Sequence, residues 1–195
     1  MISFGLRGVA YMKYHQSIQL KDGRQCILRN GTADDGQAAL DNFLLAHSQT
    51  DYLLSYPDEI TFSAEEEGEY LQKKADSDSE AEILAEIDGR IVGTAGIERV
   101  GKHEKLSHRC DFGVSIEKEF WGLGIGKALL YACIECAKKA GYHQMELEVV
   151  ADNERAVNMY LKAGFAEYGR NPRDFLSRYS GYQEVVYMRM ELTED

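Results

Sequence analysis

The sequence predicts a single α/β (α+β) domain, with a mixed, mostly antiparallel sheet of about seven strands flanked by about four helices. Three observations lead there. Short alternating runs in the first half meet at Asp-Gly pairs, a strong local signal for antiparallel hairpins. From residue 122 onward helical and strand periodicities alternate instead. The composition of the 195 residues, 44% hydrophobic and 28% charged, is that of a chain that buries a core.

The elements follow in order along the chain. The first eleven residues show no periodicity and Met12 reads as a natural start, so residues 1–17 are expected to be an N-terminal extension of a single domain over 1–195. Ile18–Leu20 and Gln25–Arg29 read as short strands around Lys21-Asp22-Gly23-Arg24. Thr32 suits a helix N-cap, and Ala39, Leu40, Phe43, Leu44 and His47 then recur at helical spacing. A polar loop with aromatic residues runs from Ser48 to Thr61. Ser63 and Glu66 have capping-box spacing and open a helix to about Lys74. The polar segment Ala75–Ser79 is too short to link two domains.

Strands Ala81–Asp88 and Arg90–Arg99 meet at Asp88-Gly89, and His108–Ile116 makes a third. In it Phe112, Val114 and Ile116 share one face, and Asp111, Gly113 and Ser115 the other. Leu129, Leu130, Cys133 and Ala137 mark the buried stripe of a helix whose outer face carries Lys127, Tyr131, Glu135 and Lys138, ending at Gly141. Met145, Leu147 and Val149 alternate with Glu146 and Glu148 in the next strand. A helix from about Asn153 to Ala163 closes at Gly164. Phe165–Tyr168 and Glu184–Leu192 supply the last strands, joined by a loop that holds Arg170 and Arg173.

The formal net charge of −11 argues against a nucleic-acid partner, which needs clustered Lys and Arg to displace counterions. It is compatible with a cationic substrate, and equally with plain solubility. No apolar run is long enough for a bilayer and no leader is evident, so a cytoplasmic protein without a membrane partner is expected. The cysteines Cys26, Cys110, Cys133 and Cys136 are few and scattered. Cys133 and Cys136 form a C-x-x-C inside a helical pattern without a second pair, so reduced thiols and no metal are expected.

The most informative stretch is Trp121-Gly122-Leu123-Gly124-Ile125-Gly126-Lys127, between a strand and the longest helix. Glycines there allow close backbone approach, and the free N–H groups of a helix's first turn favour phosphate. Lys127 would add a full charge. The alternative is that the glycines serve helix–sheet packing. The stretch is not a P-loop, because Trp121 stands where the first glycine belongs and Ala128 where the hydroxyl belongs. It also misses the dinucleotide fingerprint G-x-G-x-x-G by one residue.

Strand Val114–Ile116, the Trp121–Gly126 block and the run Asn153–Phe165 together resemble the GNAT superfamily of acetyltransferases. The first block is similar to its [RQ]-x-x-G-x-[GA] pyrophosphate motif and the last to its N-x-x-A-x-x-x-Y-x-K-x-G-F helix, in the family's order. The resemblance covers about residues 18–193, in its N-terminal third by pattern only. It implies the GNAT fold, splayed between the fourth and fifth core strands (His108–Ile116 and Gln144–Ala151) to admit the arm of acetyl-CoA.

It also implies an acetyl-CoA-dependent N-acetyltransferase acting on a small-molecule or peptide primary amine, with no metal, and leaves a homodimer open. Val114-Ser115-Ile116 would lie along the acetyl and pantetheine portion, Val114 and Ile116 through their backbones. Gly122, Gly124, Gly126, Lys127 and the amides of Leu123 and Ile125 would cradle the pyrophosphate. Asn153 would bond the pantetheine arm, as well as capping its helix. Tyr160, two turns on and on nearly the same face, would protonate the leaving thiolate, its alternative being a core aromatic. Trp121 stands where the family usually has Arg or Gln, which is expected to weaken binding modestly. For the general base, Glu98 and Asp111 are the candidates, His108 the third, and a water chain an equal alternative.

The acceptor pocket is expected to come from 33–74 and 171–182, where Tyr52, Tyr56, Phe62, Tyr179, Tyr182, Asp58 and Glu59 would suit a cation. Two other readings are a nicotinamide-dinucleotide oxidoreductase and a non-catalytic acyl-CoA-binding domain.

Overall fold

The computed structural model describes residues 13–193; the expected start at Met12 lies outside them. Eight strands form one sheet in the order β1-β2-β3-β4-β5-β6-β8-β7. They are β1 (His15–Gln19), β2 (Gln25–Asn30), β3 (Ala81–Ile87), β4 (Arg90–Arg99), β5 (Arg109–Ile116), β6 (Gln144–Val150), β7 (Ala166–Ser177) and β8 (Gly181–Glu191). Four helices accompany them: α1 (Gly36–Ser48), α2 (Ala64–Ala75), α3 (Ile125–Lys139) and α4 (Glu154–Ala163). All pairings are antiparallel except β5 with β6.

Local chemistry accounts for the helix ends. Ser63 accepts the Glu66 N–H while Glu66 reaches back to the Ser63 N–H, the reciprocal capping box. Asn153 caps α4 by accepting the Ala156 N–H. The faces of the sheet divide the core. Ile83, Ala85 and Ile97 join Leu129, Leu130, Cys133 and Ala137 of α3 on one side. Leu84 and Ile91 pack with Ala39 of α1 and Leu71 of α2 on the other. Among the described residues no helix is long and apolar enough to cross a membrane.

Two expectations are corrected. Strand β1 begins at His15 and pairs residue for residue with β2 up to Arg29, so the sheet starts inside the segment assigned to an extension. The segment read as a loop around Arg170 and Arg173 is mostly strand: β7 and β8 form a long hairpin turning at 178–180. Its alternation is hidden by register shifts between Glu167 and Gly169 and between Asn171 and Phe175. Pro172 is tolerated because β7 is the sheet's edge.

Candidate active site

Strands β5 and β6 pair only from Arg109↔Gln144 to Asp111↔Glu146, and beyond that point they diverge. Which backbone groups this leaves open follows from the β4–β5 ladder. Val100 donates to the Arg109 carbonyl and Glu117 to the Val92 carbonyl, so odd-numbered residues of β5 bond β4. Val114 and Ile116 therefore turn their N–H and C=O toward β6, where the ladder has stopped. A cleft of about 720 Å³ opens there, lined by residues from both faces of the sheet.

At one end of the cleft β5 turns into α3. The turn is fixed by Glu117, 2% exposed, which accepts from Asn42 at 3.0 Å and pairs with Arg90. Gly122 (φ +83°) and Gly124 (φ +106°) are left-handed, and a Cβ on either would meet nothing within 4 Å. Packing is thus not their reason; backbone conformation and open access are. Gly126 differs, since its Cβ would lie 3.2 Å from Ile116 Cδ1. The packing alternative holds for that glycine alone. Gly124 is the N-cap of α3 and supplies no side-chain acceptor, so the N–H groups of the first turn have no cap to satisfy them. Gly122, Gly124, Gly126 and Lys127 all line the cleft. The Leu123 carbonyl is taken by the Lys21 N–H at 3.2 Å, tying the loop to the β1–β2 turn.

Trp121 has a role that its residue type alone did not suggest. Its Nε1 donates to the Ile116 carbonyl at 2.8 Å, occupying one of the backbone acceptors expected to face a ligand. Val114 keeps its N–H and C=O on that open edge. Over the indole, 4.3 Å from the ring centroid, lies the guanidinium of Arg155 on the first turn of α4. Arg155 lines the cleft beside Lys21 and Lys127 and has no carboxylate partner among the described residues. Three cations thus gather at the glycine end of a chain with net charge −11.

Asn153 and Tyr160 line the same cleft from α4. The Asn153 Oδ1 is occupied by the cap, and its amide nitrogen has no partner among the described residues. Tyr160 is 5% exposed and packs edge-on against Phe112 and tilted against Phe165, with centroids at 6.2 and 5.8 Å. Burial pushes its phenol above the ordinary value of 10, which keeps the proton on. A protonated hydroxyl at the cleft wall can donate and cannot serve as a base near neutrality.

The carboxylate candidates separate. Asp111 lines the cleft, and burial followed by the Glu146 charge raises it above the ordinary value. Glu98 accepts from Lys74 Nζ at 2.6 Å and Tyr70 at 3.0 Å and is not part of the cleft wall. His108 lies at the paired end of β5 with its carbonyl accepting the His143 and Gln144 N–H groups, also away from the cleft. Alternation in β6 puts Glu146 and Glu148 on the wall with Asp111. Glu146 is bonded to Arg109, whereas neither Asp111 nor Glu148 meets a cation among the described residues. Ser115, 9% exposed, shares the face of Asp111, and its Oγ has no hydrogen-bond partner among the described residues. An orphaned buried hydroxyl costs roughly 1–3 kcal/mol.

Of the expected acceptor-pocket residues only Tyr52 reaches the cleft, with Thr50, Leu53, Leu54, Tyr168 and Phe175. Asp58 and Glu59 are engaged by Arg178, which also covers the Tyr56 ring. Phe62 packs on Phe43, and Tyr179 and Tyr182 stand 79% and 59% exposed outside. Arg155 and Glu148 were the residues that sequence reasoning left unassigned. The signals were there: position two after an N-cap, and strand alternation.

The thiols offer no nucleophile. All four cysteines are free and buried, with burial raising Cys26 and Cys136 to about 11 and Cys110 to about 12.

The Acetyltransferase (GNAT) family pattern matches residues 44–165. L-amino acid N-acetyltransferase AaaT of Escherichia coli is 30% identical over 120 residues, which is 61% of this chain and 73% of that protein. A GNAT-family acetyltransferase from Streptococcus pneumoniae superposes with a TM-score of 0.79 at 28% identity, covering 85% of this chain and 99% of that one. The yncA protein of Salmonella typhimurium, solved with its cofactor acetyl-CoA, gives 0.77 at 16% identity, over 87% and 95%. Together with the splayed sheet and the open amides of its glycine turn, these likenesses establish that the chain belongs to the GNAT family of acetyltransferases.

Proposed function

We propose that this acetyltransferase moves the acetyl group of acetyl-CoA onto a primary amine by direct attack within a ternary complex. The observation that carries the reading is a single cleft running through the sheet. On the α3–α4 side it carries free amides and cations, and on the α1–α2 side unpaired carboxylates. The amides of the Gly122–Lys127 turn, with Lys127, hold the diphosphate, and the open edge of Val114 aligns the pantetheine arm. Asn153 donates to that arm through its amide nitrogen.

The chemistry then falls to three groups. Asp111, rather than Glu98, takes the proton of the incoming ammonium, directly or through a water. The freed nitrogen forms a bond to the carbonyl carbon, and the oxyanion is met by backbone N–H on the open edge of β5. As the C–S bond breaks, the nitrogen gives up its second proton to solvent, and Tyr160 gives its proton to the departing sulfur and regains one from solvent.

Arg155 supplies the charge that an arginine at position 121 would bring, held in place by the Trp121 indole. Arg155→Ala is therefore expected to weaken acetyl-CoA binding about three- to tenfold at low ionic strength, and less at high salt. Titration calorimetry at two salt concentrations measures it, and an affinity independent of both the variant and the salt counts against the role.

The reading as a whole is tested by release of free CoA thiol from acetyl-CoA over a panel of amines, alongside thermal shifts with acetyl-CoA and with NAD. Stabilisation by acetyl-CoA and amine-dependent thiol release are expected. Stabilisation by NAD alone would overturn the reading; binding of acetyl-CoA without release to any amine would leave only a binding domain.

A further inference from the structure

Part of the cleft wall comes from a segment with no backbone ladder of its own. Residues 50–56 belong to no helix or strand, yet Tyr52, Leu53 and Leu54 line the cleft, as does Phe175 of β7. Burial does not hold the segment in place, since Leu54 is 77% exposed. One carboxylate does. Asp51 Oδ2 accepts from the hydroxyls of Ser177 at 2.6 Å and Ser180 at 2.9 Å, and from the Gln183 amide at 3.2 Å. The Gln183 amide also donates to the Asp51 carbonyl at 3.0 Å. Asp51 and Ser177 are 126 residues apart in sequence, so these bonds join two distant parts of the chain. The neighbouring cation, Arg178, is engaged by Asp58 and Glu59 instead.

The hairpin is shaped to receive that carboxylate. The Ser177 hydroxyl accepts the Tyr179 and Ser180 N–H groups at 2.9 and 3.1 Å, which fixes the turn and leaves its proton for Asp51. Ser177 is buried, so a lost acceptor there is not freely replaced by water. Tyr56 adds a second tie, its hydroxyl accepting the Arg178 N–H at 2.8 Å. Further back in β7, Asp174 braces the register shift between Asn171 and Phe175 by accepting from Asn171 Nδ2 at 2.5 Å and the Tyr187 hydroxyl at 2.7 Å. An irregularity of this kind re-aims the side chain beside it, here Phe175. The hairpin thus presents one fixed aromatic to the cleft, and Asp51 brings the loop residues to the same cleft.

We propose that Asp51 is the positioning residue of the acceptor site: its carboxylate straps residues 50–54 to the β7–β8 turn and so holds Tyr52, Leu53 and Leu54 as the wall on which the carbon body of the acceptor packs. The inference rests on the acetyl-transfer reading and deepens it. Asp51 is not itself a cleft residue and acts through the three that follow it. Its side-chain bonds run to the β7–β8 hairpin and to Tyr56, none to the glycine turn that takes the diphosphate. Without the strap the acceptor has to order the wall as it binds, and that ordering weakens its affinity and not the coenzyme's.

The probe is n-hexylamine, a primary amine with an alkyl body for the wall to meet, followed by thiol release, with acetyl-CoA affinity measured by calorimetry. In Asp51→Ala its KM is expected to rise about tenfold, with kcat within about threefold and the acetyl-CoA dissociation constant within about twofold of wild type, the pattern of lost acceptor binding alone. Asp51→Asn keeps one acceptor oxygen and should fall between the two, which preserves the ranking if the alanine variant folds poorly. Leu54→Ala removes an exposed side chain and should raise the KM about threefold without lowering the melting temperature. Because Asp51 acts through that wall, its removal should cost less in the Leu54→Ala background than in wild type. An unchanged hexylamine KM in both Asp51 variants overturns the proposal, as does an equal loss of acetyl-CoA affinity, which would leave Asp51 a residue of the fold only. If other amines are acetylated but hexylamine is not, this proposal alone falls. If acetyl-CoA does not bind, or no amine releases thiol, the transfer reading falls with it.

Discussion

Replacing Gly124 by valine is expected to remove acetyl-CoA binding while leaving a folded protein. Gly124 sits at φ +106° as the N-cap of α3, a conformation that costs a branched residue about 1–2 kcal/mol or more. The chain relieves that strain by moving the turn, and the amides of the helix's first turn move with it. Each amide bond to a charged phosphate contributes roughly 1.5–3 kcal/mol, so losing two weakens the coenzyme about a hundredfold or more. Nothing lies within 4 Å of the added Cβ, so the core does not respond and the stability loss stays near the strain itself.

Gly141→Val is the control. That glycine is also left-handed (φ +81°) with open space around it, but it follows the far end of the same helix. Fifteen residues of helix put about 22 Å between the two. Similar melting temperatures with acetyl-CoA affinity lost only in Gly124→Val, by calorimetry, is the expected pair of results. Equal affinities in the two variants would mean the glycine turn does not hold the coenzyme.

The same turn shows what a sequence makes legible. Alternation placed six of the eight strands closely because their flanks are unambiguous: Asp22-Gly23 and Asp88-Gly89 can only be tight turns, and each fixes the register of two strands. It failed at β7, where two register shifts and a proline erase the period of two while the backbone ladder continues. The helix caps were legible for a similar reason, since Ser63 with Glu66 and Asn153 are local interactions. What could not be read was pairing over distance. Glu98 looked as good a base as Asp111 until α2 delivered Lys74 and Tyr70 to it. Arg155 gained meaning only when the fold brought the Trp121 ring beneath it.

Tyr160→Phe is expected to lower kcat about a hundred- to a thousandfold, within the range that a positioned proton donor contributes. The coenzyme's dissociation constant should change less than about threefold, because the diphosphate is gripped at the other end of the cleft. Stability should hardly move. The hydroxyl has no partner among the described residues to be orphaned, and the ring keeps its packing on Phe112 and Phe165.

The pH dependence separates this role from that of Asp111. The phenol is raised above 10, so it stays protonated across neutrality and sets no alkaline fall below its own titration. Asp111 is raised from 3.8, and a base works only once ionised, so activity should climb with pH through a value above that of an ordinary aspartate. Tyr160→Phe should depress the whole profile and leave this acid limb in place. Asp111→Asn should remove the limb itself. A Phe variant that keeps its kcat within about threefold of wild type would show that the thiolate leaves without help from this residue.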